Sequence, residues 1–246
     1  QKLGYAEPGN PKFDLNGFDA FAKVRILSSL AFNSKISKHK CLMEGIEKID
    51  LKDIKIANQL GLRIKLLGIS ELKNNQLFET VHPCLVSKKS YIGNVTGVMN
   101  AVITEGKPVG ESILQGEGAG PGPTSSALLS DLLSILRGNI KFPFSISSKE
   151  RKKLKYQNIS ERSFSAYLRF EVLDKPGVLS NITNIFSKNK VSIKRLIQNP
   201  NKSKKFSSII VITHNSKDKF LNKIIKQTQK KPYIIKKPKL IRIGAN

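Results

Sequence analysis

A polar, basic segment at residues 141–163 divides the chain, and this division constrains the fold more than any other feature of the sequence. The segment reads KFPFSISSKERKKLKYQNISERS, with repeated serines and no apolar period, which is typical of a linker. The 246 residues are enough for two ordinary domains. We therefore predict one domain over residues 1–140 and a second over residues 164–246.

The first region predicts an α+β domain, in which helices cover a mixed sheet. Its apolar periods and breakers indicate three helices, at 17–32, 51–60 and 124–136. β-prone apolar runs joined by turn residues indicate four strands, at 62–70, 77–86, 94–104 and 108–115.

The second region predicts a small sheet in the order βαββαβ, which is the ferredoxin-like arrangement. A tight turn, Asp174-Lys175-Pro176-Gly177, separates the first strand from the first helix. The expected strands lie at 166–172, 191–198, 206–213 and 232–243, and the expected helices lie at 178–188 and 217–230.

The positive charge is concentrated in the second part of the chain. Residues 141–246 hold 26 basic and 5 acidic residues, whereas residues 1–140 hold 17 and 13. Lysine outnumbers arginine 35 to 8, although base readout relies on arginine forks. No RNA-binding aromatic motif is present, so we expect weak attraction to polyanions but no specific nucleic-acid binding.

The two cysteines, Cys41 and Cys84, each follow a histidine by two residues, which is not the spacing of a zinc module. We interpret both as buried, reduced thiols of a cytoplasmic protein, and we expect no metal site. The sequence has no apolar run of 18 residues and no signal-like start, so no membrane association is expected.

The helix expected at 17–32 carries the first candidate site. Asp19 and Lys23 are four residues apart and therefore share one helix face. A carboxylate one turn from an ammonium can hold it charged and aimed, which suits proton transfer beside a bound amino acid. By spacing alone, the pair is more often an ordinary exposed ion pair.

The segment around this pair, GYAEPGNPKFDLNGFDAFAK at 4–23, resembles the substrate segment of homoserine dehydrogenases. The motif positions that match are Glu7, Asp14, Gly17, Asp19 and Lys23. The chain departs from the family by one extra residue between Glu7 and Asp14, and by Ala22 where the family often has histidine. The resemblance continues in order to about residue 140, through ILSSLAFN, HPCLV, NVTGVMNAV and GEGAGPGPTSSALLSDLL.

This resemblance implies a set of roles. Lys23 would be the catalytic ammonium that stabilises the substrate's carbonyl oxygen, and Asp19 would orient Lys23 or contact the substrate. Glu7 would receive the substrate's ammonium group, and Asp14 would support the same polar site. The cofactor, NADP or NAD, would lie beside a loop formed by Gly118, Ala119 and Gly120.

The string RFEVLDKPGVLSNITNIFSKNKVSIKRLIQ resembles the ACT domain, a small amino-acid-sensing module. Family members carry a D-x-P-G-V-L turn, which matches the sequence from Asp174 to Leu179. Glycine permits close backbone approach there, and amides at the helix start can hold a carboxylate. The expected effector contacts are Asp174, Gly177, Val178 and Asn181, and threonine is the expected effector by analogy.

Together these resemblances imply a homoserine dehydrogenase that interconverts homoserine and aspartate semialdehyde and forms a homo-oligomer. The family's N-terminal dinucleotide-binding domain is absent from these residues, since no GxGxxG motif follows a strand. We therefore expect the 246 residues alone to be inactive. Two alternatives remain open: an amino-acid-binding regulatory ACT protein without catalysis, and a basic nucleic-acid binder.

Overall fold

The structure is a computed structural model that describes residues 12–36, 39–139, 144, 146–200 and 205–244. The chain divides into two compact units. Unit 1 comprises Gln1–His82 and Ser87–Lys155, and unit 2 comprises Pro83–Val86 and Tyr156–Asn246.

The elements of unit 1 follow the helix and strand signals of the sequence. They are α1 (Lys12–Leu15), α2 (Phe18–Phe32), α3 (Leu51–Gln59), β1 (Leu62–Lys73), β2 (Gln76–Ser87, of which Pro83–Val86 belong to unit 2), α4 (Tyr91–Asn94), β3 (Met99–Gly106), β4 (Gly110–Glu117) and α5 (Pro121–Leu136). A short strand β5 (Lys155–Tyr156) lies where the chain passes from unit 1 to unit 2.

Local chemistry explains the boundaries of these elements. The Asp50 side chain accepts a hydrogen bond from the Asp53 amide and so caps α3. Asn74 and Asn75 both have positive φ, as the two-residue hairpin turn between β1 and β2 requires. The helices α2 and α3 both pack against β1.

Two expectations for unit 1 were wrong in detail. The strand expected from residue 94 begins only at Met99, because Asn94 belongs to the short helix α4, whose start Ser90 caps. The helix expected from Thr124 begins at Pro121, since proline suits the first helical turn, and Gly120 with φ of 117° precedes it.

Unit 2 continues with a 3₁₀-helix at Ile159–Glu161 and the expected βαββαβ order. Its elements are β6 (Ser163–Leu173), α6 (Val178–Lys188), β7 (Ile193–Pro200), β8 (Phe206–Thr213), β9 (Ser216–Lys217), α7 (Asp218–Gln229) and β10 (Lys239–Ile243). The last strand is shorter than the predicted 232–243, because Pro232 and Pro238 cannot donate ladder hydrogen bonds.

The sheet of unit 2 has the strand order β10-β6-β8-β7, with every neighbouring pair antiparallel. Alternate residues of β6, from Ala166 to Val172, point to one face of this sheet, where they meet the buried faces of α6 and α7. On the other side of β10, Arg242 and Ile243 pair in parallel with Cys84 and Leu85. The α+β class and the ferredoxin-like order are confirmed.

Candidate functional site

The helix α2 positions the candidate catalytic pair. Gly17, with φ of 84°, ends the short helix α1 and allows α2 to start at Phe18 in a new direction. The Asn16 side chain accepts a hydrogen bond from the Phe18 amide at 2.9 Å. One turn into α2, the Lys23 ammonium donates a hydrogen bond to the Asp19 carboxylate, as the four-residue spacing predicts.

This pair lies on an exposed helix face, with 66% of the Lys23 side chain and 50% of the Asp19 side chain accessible. Both groups are therefore available to a ligand. Of the other two substrate contacts expected from the sequence, Asp14 belongs to α1, whereas Glu7 lies outside the described residues.

The glycine loop expected to face the cofactor lies between β4 and α5. Gly118 lies against Asn100 on β3, because a Cβ built on Gly118 would come within 1.3 Å of the Asn100 side-chain amide nitrogen. The Gly118 amide also donates to the Val98 carbonyl at 3.3 Å. Only glycine fits at this position while Asn100 keeps its place, because the Asn100 side chain occupies the space that a Cβ would need.

Among the described residues, no hydrogen bond or ion pair joins this loop to Asp19 or Lys23. Asn100 is the residue that sequence reasoning missed here. It belongs to the family-like string NVTGVMNAV, which indicates a strand but not that its asparagine side chain lies against Gly118.

The helix that follows the loop has an unusual surface. α5 has no buried residue, and six of its leucine and isoleucine side chains are 48–72% exposed. These side chains are Leu128, Leu129, Leu132, Leu133, Ile135 and Leu136. An apolar helix surface of this size is typical of an interaction face.

A second candidate site lies in unit 2, at the turn between β6 and α6. A cavity of about 350 Å³ opens there, and its volume is in the range of small-molecule pockets. Three of the expected effector contacts, Asp174, Gly177 and Val178, line it, together with Gln198 and Ile209 from the sheet. Asn181 lies one turn further along α6 on its exposed face, and it is not among the lining residues.

The chemistry of this cavity is divided between its two sides. Asp174 supplies a carboxylate, which accepts a long hydrogen bond of 3.4 Å from the Gln198 side chain. Gly177, with φ of 83°, precedes α6 without a side-chain cap, so the positive end of the helix dipole faces this region. Lys175 adds a second charged side chain to the lining, and the rest of the wall is apolar. A small amino-acid zwitterion matches this arrangement.

Gln198 was not predicted from the sequence. It comes from β7, which is separated from Asp174 by a helix and more than 20 residues. The repeated apolar pattern of the strand predicts the strand itself but not which of its polar side chains reaches the turn.

The two cysteines differ in environment. Cys84 is buried, whereas Cys41 is only half-buried, so the expectation that both are buried was wrong for Cys41. Burial raises the pKa of the Cys41 thiol, although the Arg25 side chain partly opposes this shift.

Metal and membrane features are not found in the described part of the chain. Histidine, cysteine and carboxylate side chains there form no group of three or more that could hold a metal ion. No described helix has both the length and the apolar character needed to cross a bilayer.

Comparison with known proteins places both units in families. The family model "Homoserine dehydrogenase" matches residues 1–133, and the model "AHAS small subunit-like ACT domain" matches residues 168–236. A homoserine dehydrogenase of Helicobacter pylori is 35% identical over 99% of the chain, and one of Neisseria gonorrhoeae is 37% identical over 92%.

The same relationship holds for solved structures. A homoserine dehydrogenase from Thiobacillus denitrificans superimposes with a TM-score of 0.87 over 99% of the chain, at 34% identity. The chain covers 56% of that protein, 57% of the Helicobacter pylori relative and 53% of the Neisseria gonorrhoeae relative. It therefore spans little more than half the length of the relatives it matches.

Proposed function

Because this chain belongs to the homoserine dehydrogenase family, we propose that it forms the catalytic and regulatory part of an NAD(P)-dependent homoserine dehydrogenase. The reaction interconverts L-homoserine and L-aspartate 4-semialdehyde, in the biosynthesis of threonine, methionine and isoleucine. The observation that carries this proposal is the Asp19–Lys23 contact on the exposed face of α2, within the family's substrate segment.

Lys23 has the chemistry that the reacting oxygen needs. In reduction of the aldehyde, the carbonyl oxygen gains negative charge, and an ammonium can donate a hydrogen bond and then a proton to it. In the reverse direction, the same nitrogen assists removal of the hydroxyl proton. Asp19 keeps Lys23 oriented, and Glu7 and Asp14 bind the amino-acid part of the substrate.

When bound, NADP or NAD would supply the hydride in its reduced form and accept it in its oxidised form. The residues of this chain that would face the cofactor are Gly118, Ala119 and Gly120. Their suitability is supported by the exposure of Gly118 and by the lack of a side chain on both glycines, which lets a ligand approach the backbone. The exposed apolar face of α5 would pack against a nucleotide-binding part of the kind that the longer relatives contain.

Lys23→Ala tests this function. We expect turnover of homoserine to fall by about 10²- to 10³-fold, the loss typical of removing one donor to a developing oxyanion. The assay follows NADP or NAD reduction by the polypeptide encoded by the whole reading frame that contains this chain. Lys55→Ala, on the exposed side of α3, is the matched control and should keep normal turnover.

Near-normal turnover of Lys23→Ala would remove Lys23 from the mechanism. We further expect the 246-residue chain alone to show no appreciable turnover. Nicotinamide-dependent oxidation of homoserine by the chain alone would contradict that expectation.

Unit 2 would bind an amino-acid effector at the cavity between β6 and α6. Asp174 would hold the effector's ammonium group, and the amides at the start of α6, near Gly177 and Val178, would hold its carboxylate. Asn181 would contact the effector at the rim. Threonine is the effector that we propose, and a homo-oligomer in the cytoplasm is the expected form of the protein.

Calorimetry of the chain with threonine, isoleucine and methionine tests this site. Threonine should release heat, Asp174→Asn should abolish the signal, and Asp131→Asn on the exposed α5 should leave it unchanged. Threonine binding should respond little to salt, whereas polyanion binding should weaken steeply. No heat with any of the three amino acids would leave unit 2 without an effector role.

The cavity also supports a second candidate function, that of a regulatory amino-acid-binding protein without catalysis. It is built entirely from unit 2 and needs no residue of α2. Effector binding together with an inactive full-length protein would favour this second candidate.

A further inference from the structure

The helix α2 has an unusual distribution of side chains. Its exposed residues include Ile26, Leu27 and Leu30, whereas Ser28 and Ser29 are among its most buried residues. A helix held only by apolar burial would show the opposite pattern. The position of α2 in unit 1 therefore depends strongly on directional polar contacts.

The first of these contacts joins α2 to β1. The Ser28 hydroxyl donates to the Val24 carbonyl at 2.8 Å and lies 2.6 Å from the Ser70 hydroxyl oxygen. The two elements also approach closely beside this contact, because a Cβ built on Gly68 would come within 2.2 Å of a Val24 methyl group. This approach limits movement of α2 along β1.

The second contact centres on Arg25. Its guanidinium carbon lies 4.4 Å from the centroid of the Phe21 ring, and its Nη2 donates to the His39 carbonyl. Its Nε lies 4.0 Å from Oε2 of Glu79 on β2. Both of these atoms are buried and make no hydrogen bond within the described ranges, so what compensates their burial is the attraction between the two charges. The Ser28 hydroxyl also lies beside the Glu79 carboxylate.

Glu79 is an unexpected residue in a buried strand. It is only 4% exposed, and it lies in a run of buried residues along β2. A carboxylate at such a position is costly unless a cation faces it. The cation comes from α2, which links the helix to the centre of unit 1.

We propose that the Arg25–Glu79 pair, together with the Ser28–Ser70 contact, fixes the rotation of α2 and thereby aims the Asp19–Lys23 pair. Arg25 and Glu79 are positioning residues in this proposal, which rests on the proposed dehydrogenase function. Because each helical residue advances by about 100°, Arg25 and Lys23 lie on roughly opposite sides of α2. A rotation at the buried side therefore displaces the ammonium at the exposed side.

The size of the effect follows from the geometry of proton transfer. A displacement of about 1 Å at a catalytic group can cost about 10²-fold in rate. The binding of the cofactor does not use α2 in this proposal. We therefore expect the loss to appear in kcat for homoserine oxidation, with little change in KM for NADP or NAD.

The test uses Arg25→Met, Glu79→Gln and the double variant in the polypeptide encoded by the whole reading frame. Each single variant should lower kcat by about 10- to 100-fold. The fold-decrease in kcat of the double variant should be smaller than the product of the two single fold-decreases, because neither buried charge is then left without the other. Arg25→Lys should restore part of kcat, because it keeps the charge but not the planar fork.

Two further measurements separate positioning from general destabilisation. Amide hydrogen exchange in α2 should become faster in both single variants and stay unchanged in Glu171→Gln. This control removes a carboxylate that is paired with Arg169 in unit 2. Glu171→Gln should also keep normal kcat.

Normal kcat in Arg25→Met and Glu79→Gln would overturn the inference, as would an equal loss in Glu171→Gln. Unchanged hydrogen exchange in α2 would overturn it as well. Failure of the proposed function has a different signature, which is an unmutated protein without homoserine-dependent turnover. In that case the catalytic part of the inference also fails, while the exchange data still report whether the pair anchors α2.

Discussion

Units 1 and 2 differ in how far their helices bury apolar side chains. In unit 2, α6 and α7 place their apolar residues against one sheet face, where Ile182, Leu221 and Ile224 are fully buried. In unit 1, α5 buries none of its residues, and α2 leaves several large apolar side chains exposed. Unit 2 therefore completes a core from its own elements, whereas unit 1 retains apolar surface that can receive further protein.

The two units also differ in how deeply their ion pairs are buried. Asp218 and Arg242 in unit 2 are each 3% exposed and 2.8 Å apart, and Asn222 also donates to Asp218. The Asp19–Lys23 pair in unit 1 is exposed on α2. A buried pair contributes to structure, and an exposed pair is free to act on a ligand.

The largest expected change in the free energy of unfolding comes from breaking the buried pair. Asp218→Ala should lower the free energy of unfolding by about 3–5 kcal/mol, because it leaves the Arg242 charge buried without its carboxylate. Asp19→Ala should change the free energy of unfolding little, because its pair is exposed. Urea unfolding followed by circular dichroism measures both, and equal losses would remove the contrast between the pairs.

The next effect compares the two kinds of helix. Ile182→Ala in α6 should lower the free energy of unfolding by about 2–5 kcal/mol, through lost burial and a cavity. Leu132→Ala in α5 removes a similar side chain that is already exposed, so its effect on the chain should be small. A large loss from Leu132→Ala would show that α5 is covered in solution.

A smaller effect concerns pH. Burial raises the pKa of Glu79, and the neighbouring Ser28 hydroxyl and Arg25 guanidinium oppose this only in part. The folded state then holds a proton that the unfolded state has released, so stability falls as pH rises from about 4.5 through the raised pKa. Thermal unfolding between pH 4 and 8 should show this slope.

Glu79→Gln provides the control for that slope, because it removes the titrating group and keeps its shape. Stability should then vary less with pH in the same range. A slope that is identical in Glu79→Gln would assign the pH dependence to other carboxyl groups.

The smallest expected change in stability is at α5. A clear change in association is expected there. In the chain alone, where α5 has no nucleotide-binding part to pack against, its apolar face should promote self-association. Replacing Leu129 and Leu136 by glutamine should reduce that association and leave the unfolding temperature nearly unchanged, since both side chains are exposed. Analytical ultracentrifugation measures the association. Unchanged association would show that the α5 face is not responsible for it.

Much of the fold could be predicted because its signals are local. The boundaries of α6 and β8 follow directly from apolar period and turn residues, and they agree with the structure. The errors lie where a local cap or proline overrides a general pattern, as at Ser90 and Pro121. The candidate pair Asp19–Lys23 was also predictable, because four-residue spacing on a helix guarantees proximity.

The sequence by itself determined the family segments, the βαββαβ order and the Asp19–Lys23 contact, since each depends on residues that are near neighbours in the chain. Only the tertiary structure decided that Glu79 faces Arg25, that Asn100 meets Gly118, and that Gln198 reaches Asp174. These contacts join residues 18 to 54 positions apart in the chain. No periodic pattern encodes such contacts, because they depend on how strands and helices pack.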